Sequence, residues 1–255
     1  MSSRTKTSRL YRLWSLAVLA AAITAMVWFA TGHRTELRQI FETLRDGLPI
    51  TTQAEAAGQS AWLDSGPTTI DPQELASLDI EEQDRSDDDY ERDEFGSSWL
   101  DVDENSCDTR NDILARDLVD VTYEDGADCE IADGTLHDPY TGTTIEGNLS
   151  EDVEIDHIVS LGDAWYSGAE QWSDEKRERF ANDPSNLVAV DGPANTSKSD
   201  DSISEWYPHW DAPGDTVECR YAAAYVHVLA EYDLSVTRDD YTLLKQLEAN
   251  CKELA

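Results

Sequence analysis

The spacing of apolar positions changes character several times along the chain. Leu13 to Ala30, LWSLAVLAAAITAMVWFA, is an uninterrupted apolar run, after which the sequence turns polar until about Trp99. Periodic patterns then set in. CDTRNDILARDL places Ile113, Leu114 and Leu118 on one helical face behind a capping box of Thr109 and Asp112. GTLHDPYTGTTIEG sets the turn residues Asp138-Pro139 and Thr141-Gly142 between short β-forming pieces, which predicts a hairpin. In DVEIDHIVSL the residues Val153, Ile155, His157, Val159 and Leu161 alternate, which predicts a strand with His157 on its apolar side and Asp156 facing the other way. Both side chains can serve one site only near the strand end. GDAWYSGAEQWSDEKRERFANDP is helix-like, Leu187 to Val190 forms a short strand, and a Gly-Pro turn leads to a helix starting around Asn195. ECRYAAAYVHVLAEY and TRDDYTLLKQLEANC both carry helical spacing, the second opened by a capping box of Thr237 and Asp240. Together these patterns predict an α+β domain in which helices dominate.

The N-terminal run is just long enough to cross a bilayer, and Arg4, Lys6, Arg9 and Arg12 before it orient the N-terminus to the cytoplasm and the remainder outside. A cleaved secretory signal is the alternative, although AMVWFATG makes a poor cleavage site. Both readings export the chain. The expected organisation is a basic cytoplasmic N-terminus over 1–12, a transmembrane helix or signal over 13–32, a stalk over 33–71 and one globular domain over 72–255. The stalk contains TTQAEAAGQSAW and DSGPTTIDP, polar and punctuated by Gly and Pro, with one short amphipathic piece, ELRQIFETLRDGL. The acidic run DIEEQDRSDDDYERDEFG that follows it is read as a solvated face or linker.

Charge and cysteines refine this picture. The 54 acidic and 19 basic residues give a formal net charge of −35, spread along the chain, a composition that suits life in high salt. It argues against a nucleic-acid partner, because phosphate binding is normally supplied by Lys and Arg. The four cysteines, Cys107, Cys129, Cys219 and Cys251, include no CxxC pair, so two disulfides in an oxidising compartment are expected rather than a zinc knuckle. Three pairings are possible. If the last two helices form an antiparallel hairpin, Cys219 meets Cys251, which leaves Cys107 for Cys129.

Asp156 beside His157 can be a structural ion pair, a metal site or a general base. The surrounding wording narrows the choice. A strand ending in Asp-His, an Asn-led strand at Asn186, and Asn195 nine residues later on a helix resemble the HNH (ββα-metal, His-Me finger) nuclease motif. The stretch EIDHIVSLGDAWYSGA…FANDPSNLVAVDGPANTSKSD…EWYP is similar to a subgroup of secreted or surface HNH-family endonucleases of bacteria and archaea in which Asn replaces the last histidine. YERDEFGSSW, CDTRNDIL and GTLHDPYTG extend the likeness upstream, so that it covers roughly Asp71 to the C-terminus. The insertion between His157 and Asn186 departs from the minimal finger.

The resemblance implies a ββα-metal finger embedded in a mostly helical, disulfide-bonded domain and a metal-dependent endonuclease acting on DNA before RNA. The residue types suit that chemistry. His157 can deprotonate water near neutral pH, and Asp156 and Asn195 offer hard oxygens to Mg²⁺ or Mn²⁺. Asn186 would hold the loop that orients the His157 ring, and Lys198, one turn beyond Asn195, could reach a phosphate oxygen. Arg110 and Arg116 on the first helix, with Lys176, Arg177 and Arg179 in the insertion, are further cations that could line a groove. A bridging metal also answers the charge objection. The expected protein is thus a nuclease tethered outside the cell by its N-terminal helix, or secreted after signal cleavage, with no obligate protein partner. The alternative is a surface module that binds DNA or envelope polymer without cutting it.

Overall fold

A computed structural model describes residues 66–252, apart from 86–88, 148 and 211–216, together with Trp62. The expected membrane helix and nearly all of the expected stalk lie outside the described residues. Among the described residues no helix is long and apolar enough to cross a membrane.

The described chain is a mixed α+β structure built around two apolar clusters. Helix α1 (Pro72–Ser77) and a 3-10 turn (Arg92–Phe95) precede α2 (Thr109–Asp117). Strands β1 (Leu118–Tyr123), β2 (Ile131–His137) and β3 (Thr144–Glu146) form an antiparallel three-stranded sheet. A short helix α3 (Leu149–Asp152) leads into β4 (Val153–His157). The insertion then folds as α4 (Leu161–Tyr166), a 3-10 turn (Ala169–Gln171) and α5 (Asp174–Ala181). The chain returns as β5 (Leu187–Asp191), runs directly into α6 (Gly192–Lys198), and ends in α7 (Val217–Tyr232) and α8 (Arg238–Cys251).

Strands β4 and β5 pair antiparallel from Val153 opposite Asp191 to His157 opposite Leu187, with no break in register. The pleat divides β5 between two cores. Leu187 and Ala189 join Ile113, Leu114, Leu136, Val153 and Ile155 beneath the three-stranded sheet, while Val188 and Val190 join the larger cluster around α7 and α8. A strand buried on both faces is apolar at every such position, which is why LVAV shows no alternation.

Local caps fix the boundaries, and two differ from expectation. Helix α2 is capped by Asp108, whose Oδ1 accepts from Asn111 N at 2.8 Å, while the Thr109 hydroxyl bonds the Leu100 carbonyl instead. Helix α6 begins at Gly192 rather than near Asn195, because Pro193 fits the first turn and Asp191 accepts from Ala194 N at 2.8 Å. The Thr237–Asp240 capping box of α8 forms as expected. Both expected disulfides are present, with Cα separations of 5.4 Å for Cys107–Cys129 and 5.7 Å for Cys219–Cys251.

Of the two readings of the acidic run, the solvated face holds and the linker does not, because the run is attached to the domain. Ile80 bridges Val236, and Gln83 and Arg85 both donate to the buried Asp163, at 3.0 and 3.1 Å. Trp165 Nε1 donates to Asp89 at 3.2 Å, and Phe95 is buried against Phe180 and Trp165. Its attachment is by backbone pairing, polar side chains and one buried ring. The core also takes in Trp62 and Ile70, from the segment expected to be stalk.

Asp240 ties α8 to the segment after α6: its Oδ1 accepts from Ser202 Oγ at 2.6 Å and Ser204 N at 3.0 Å, and its Oδ2 from Thr237. Burial acts to raise its pKa, but these donors prevail and hold it below the ordinary carboxylate value. A depressed carboxyl pKa stabilises the fold above the unfolded value of about 3.9 and ceases to do so as pH falls through the folded value. Asp240→Asn is expected to lower stability by about 1–2 kcal/mol at pH 7. The gap from wild type, read by urea denaturation, should close on acidification below the folded pKa. A gap independent of pH would remove the charge from this account.

Candidate active site

Strand β4 sorts its side chains by the pleat. Glu154 and Asp156 point to the face covered by α6, whereas Val153, Ile155 and His157 point to the opposite face. Positions two apart on the strand meet positions three apart on the helix: Asn195 Nδ2 donates to Glu154 Oε2 at 2.7 Å, and Lys198 Nζ lies 2.9 Å from Asp156 Oδ2. Asp156 and His157 nevertheless border the same polar cleft of ≈ 230 Å³, together with Glu154, Asn195, Asp200 and Arg92. The strand needs no twist out of register for this, because the cleft lies across its end.

Asp156 is 7 % exposed, and its two oxygens have different surroundings. Oδ2 accepts from Tyr140 Oη at 2.6 Å and pairs with Lys198 Nζ. Oδ1 takes no hydrogen bond from a described side chain. Tyr140 reaches Asp156 from the β2–β3 turn, which is itself pinned by Asp138. The Asp138 Oδ1 accepts from Asp191 N at 3.1 Å and Tyr140 N at 3.2 Å, and its Oδ2 accepts from Thr141 N at 2.8 Å. Burial, then the Asp156 charge, pushes the Tyr140 phenol well above its ordinary value, so it acts here as a fixed donor.

His157 Nε2 is 2.9 Å from the carbonyl of Ala181, the last residue of α5. A carbonyl only accepts, so Nε2 carries the proton and the lone pair resides on Nδ1. Burial lowers the His157 pKa to about 4; the Arg92 and Lys198 charges act the same way, while the Ala181 bond and Asp156 oppose them. The ring is therefore neutral at pH 7 with a basic nitrogen available. Asn186, fully buried, closes the insertion: its Oδ1 accepts from Val159 N at 2.8 Å, its Nδ2 donates to Val159 O at 3.2 Å, and its carbonyl accepts from Ile158 N at 2.8 Å. It holds the backbone just beyond His157 and does not touch the ring.

Asp156, His157 and Asn195 thus meet at the cleft, with Asn186 behind them, but the cations expected to bind substrate do not join them. Lys198 is 1 % exposed, and its Nζ donates to the His157 carbonyl at 2.8 Å as well as pairing with Asp156. This ammonium is committed to the carboxylate, not open to a phosphate. Arg110 Nη2 is 3.4 Å from the Val153 carbonyl, at the far end of β4. Arg116 is engaged by Asp117 and the Pro184 and Leu187 carbonyls, Lys176 lies over the Trp172 ring, and Arg177 is buried among carbonyls and Asp174. Sequence reasoning passed over Tyr140, Glu154 and Arg92. Glu154 could have been found from the period of two, which sets it on the Asp156 face. Tyr140 and Arg92 lie in HDPYTG and YERDEF, read as a turn and as a linker.

The donor set suits a hard divalent cation. Asp156 Oδ1 and Asn195 Oδ1 have no hydrogen-bond partner among the described residues, and the Glu154 carboxylate adjoins them. Among the described residues no three His, Cys, Asp or Glu side chains converge on one point, so protein oxygens alone would leave much of a coordination shell to water and substrate. Mg²⁺ commonly keeps several waters and takes one or two carboxylates.

Comparison with known proteins places the chain in a family. The chain is 37 % identical over 166 residues to an uncharacterized secreted protein of Arthroderma benhamiae, an alignment covering 64 % of this chain and 76 % of the relative. No solved structure matches it. The family model for the C-terminal domain of GmrSD restriction endonucleases matches residues 108–247, a span containing β4, β5, α6 and every side chain assigned to the cleft except Arg92. With more than half of its length matched, the chain belongs to the family of GmrSD restriction endonuclease C-terminal domains.

Proposed function

We propose that the protein is an exported endonuclease that hydrolyses phosphodiester bonds of nucleic acid, DNA before RNA, in the cleft between β4 and α6. The observation that carries this reading is the His157–Asp156 pair: a neutral imidazole with its lone pair free, beside a buried carboxylate with one unbonded oxygen. Membership of a family named for restriction endonucleases supports it.

In this reading His157 Nδ1 takes a proton from water, and the resulting hydroxide attacks phosphorus in line with the departing 3′-oxygen, leaving a 5′-phosphate. The Ala181 carbonyl keeps the ring in the required tautomer and stabilises the imidazolium that forms. Asp156 and Asn195, with Glu154 adjoining, would hold Mg²⁺ or Mn²⁺, which would supply Lewis-acid stabilisation of the negative charge on the leaving oxygen. Asn195 stands where the HNH finger has its last histidine. Tyr140 and Lys198 occupy Oδ2 of Asp156 so that Oδ1 is presented to the cleft, and Asn186 keeps the backbone after His157 from moving.

Two disulfides and the secreted relative support a location outside the reducing cytoplasm. The membrane-tethered form follows from the Leu13–Ala30 run, and the secreted form is its alternative.

The test is cleavage of plasmid and RNA by the purified chain with Mg²⁺, Mn²⁺ or EDTA. His157→Ala is expected to lower the rate about 10²- to 10⁴-fold in a protein that still unfolds cooperatively, though with a lower melting temperature because a buried, hydrogen-bonded ring is lost. Turnover like that of wild type in this variant would refute the assigned base, and a wild type that binds DNA but never cuts it would favour the non-catalytic module.

A second prediction concerns Lys198. Lys198→Met leaves Asp156 buried without its cation, so stability should fall by about 3 kcal/mol in urea denaturation, the cost of breaking a buried pair from one side. A loss below about 0.5 kcal/mol, the range of surface substitutions, would mean that Lys198 is not bound as described.

Location is tested by protease treatment of intact cells carrying a tag at each end. The C-terminal tag should be lost, and a protected one would overturn export. A soluble product beginning near Gly32 or His33 would identify the secreted form.

A further inference from the structure

The cleft is acidic. Glu154, Asp156 and Asp200 border it, and Lys198, the cation nearest to Asp156, is enclosed behind the carboxylate. A phosphodiester entering this space meets three carboxylates, and a single divalent ion does not offset them all. The described residues that border the cleft include one guanidinium, that of Arg92.

Several arginines of this chain of charge −35 are exposed, and Arg92 is the one at the cleft. It is exposed, yet no described carboxylate or carbonyl binds its side chain, whereas Arg85, Arg116 and Arg177 are each held by acidic partners. Its backbone is fixed all the same. Two residues on, Glu94 O accepts from Arg177 Nε at 2.8 Å, and Phe95 is buried against Phe180 at a ring separation of 6.0 Å. Gly96 then turns at φ +74, where an added Cβ would lie 2.8 Å from Glu178 Oε1, and Ser97 N donates to that same carboxylate oxygen at 3.0 Å. The segment is thus clamped on α5, the helix whose last carbonyl orients His157. Arg92 also borders a second, smaller recess at His157, a space of ≈ 20 Å³ shared with Gly96, Ser97, Ser98 and Trp99. Arg92 and His157 therefore border the same two spaces.

We infer that Arg92 is the phosphate-binding residue of the cleft, gripping a non-bridging oxygen of the scissile or adjoining phosphate of a nucleic-acid strand. The inference rests on the nuclease reading for its substrate. A guanidinium suits the task because its planar fork donates to two phosphate oxygens at once and it remains charged at every working pH. An acidic protein gains from concentrating its attraction for polyanion at this one point, since general affinity is weak and non-productive binding along the rest of the surface is repelled.

The experiment compares wild type, Arg92→Ala, Arg92→Lys and Arg238→Ala, the last on the exposed first turn of α8. Binding of a short fluorescein-labelled DNA duplex is followed by anisotropy across a salt series in EDTA, and cleavage of plasmid is followed with Mg²⁺. Arg92→Ala is expected to weaken binding about tenfold and to reduce the slope of log K against log salt by about 0.9, the contribution of one phosphate contact. Its kcat/KM should fall about 10- to 100-fold, in line with the loss of a charge-assisted bidentate contact. Arg92→Lys should keep the salt slope and recover only part of kcat/KM, because it retains the charge without the fork. Arg238→Ala should match wild type, and all variants should melt together. An Arg92→Ala protein with unchanged salt slope and unchanged kcat/KM overturns the inference. A wild type that cuts nothing, yet binds DNA with an Arg92-dependent slope, sinks the nuclease reading and leaves the phosphate contact in place.

Discussion

The Asp156 carboxylate is the point at which three separate parts of the chain are joined. Its Oδ2 receives the Lys198 ammonium from α6 and the Tyr140 hydroxyl from the β2–β3 turn, while its backbone lies in β4. Burying an ionised pair is costly unless the remaining polar valences are met, and here Lys198 is also satisfied by the His157 carbonyl. The network is closed except at one oxygen. Because strand, helix and turn all depend on the same anion, the position of that remaining oxygen is set by the packing of the whole domain. A carboxylate on a solvated loop would have no such constraint.

The insertion between β4 and β5 contributes to the surroundings of the cleft. It supplies the Ala181 carbonyl that selects the His157 tautomer, and it carries α5, on which the Arg92–Ser98 segment is clamped. Asn186 draws its two ends together through three hydrogen bonds to Ile158 and Val159. A helix-bearing excursion can therefore interrupt β4 and β5 without disturbing their register.

The succession of β4, β5 and α6 was legible because its signals are local: alternation in VEIDH, a short apolar strand, and a Gly-Pro step onto a helix. The hairpin of α7 and α8 was legible for the same reason, and with it the disulfide pairing. What escaped was decided by contacts distant in sequence. Thr109 satisfies the capping pattern, but its hydroxyl is claimed by the Leu100 carbonyl, which leaves the cap to Asp108. Lys198 sits on the predicted helix, but only its depth of burial shows that it faces a carboxylate instead of solvent. The acidic run hid most, since it is held by backbone pairing at Asp79–Glu81 and by the single buried ring of Phe95 among many charges. Nor could the spacing within HDPYTG indicate that Tyr140 crosses to Asp156.

The double burial of β5 has a dynamic consequence. A strand enclosed by a core on each face can expose its amides only when both cores open, which places Leu187 to Val190 among the slowest-exchanging positions of the fold. Strand β4, which borders the cleft, is thus paired along its length to a strand that opens only with both cores, while Arg92 and Glu154 at the cleft are exposed. Substrate would be accommodated by small movements of side chains at the edge, against reacting groups that stay in place.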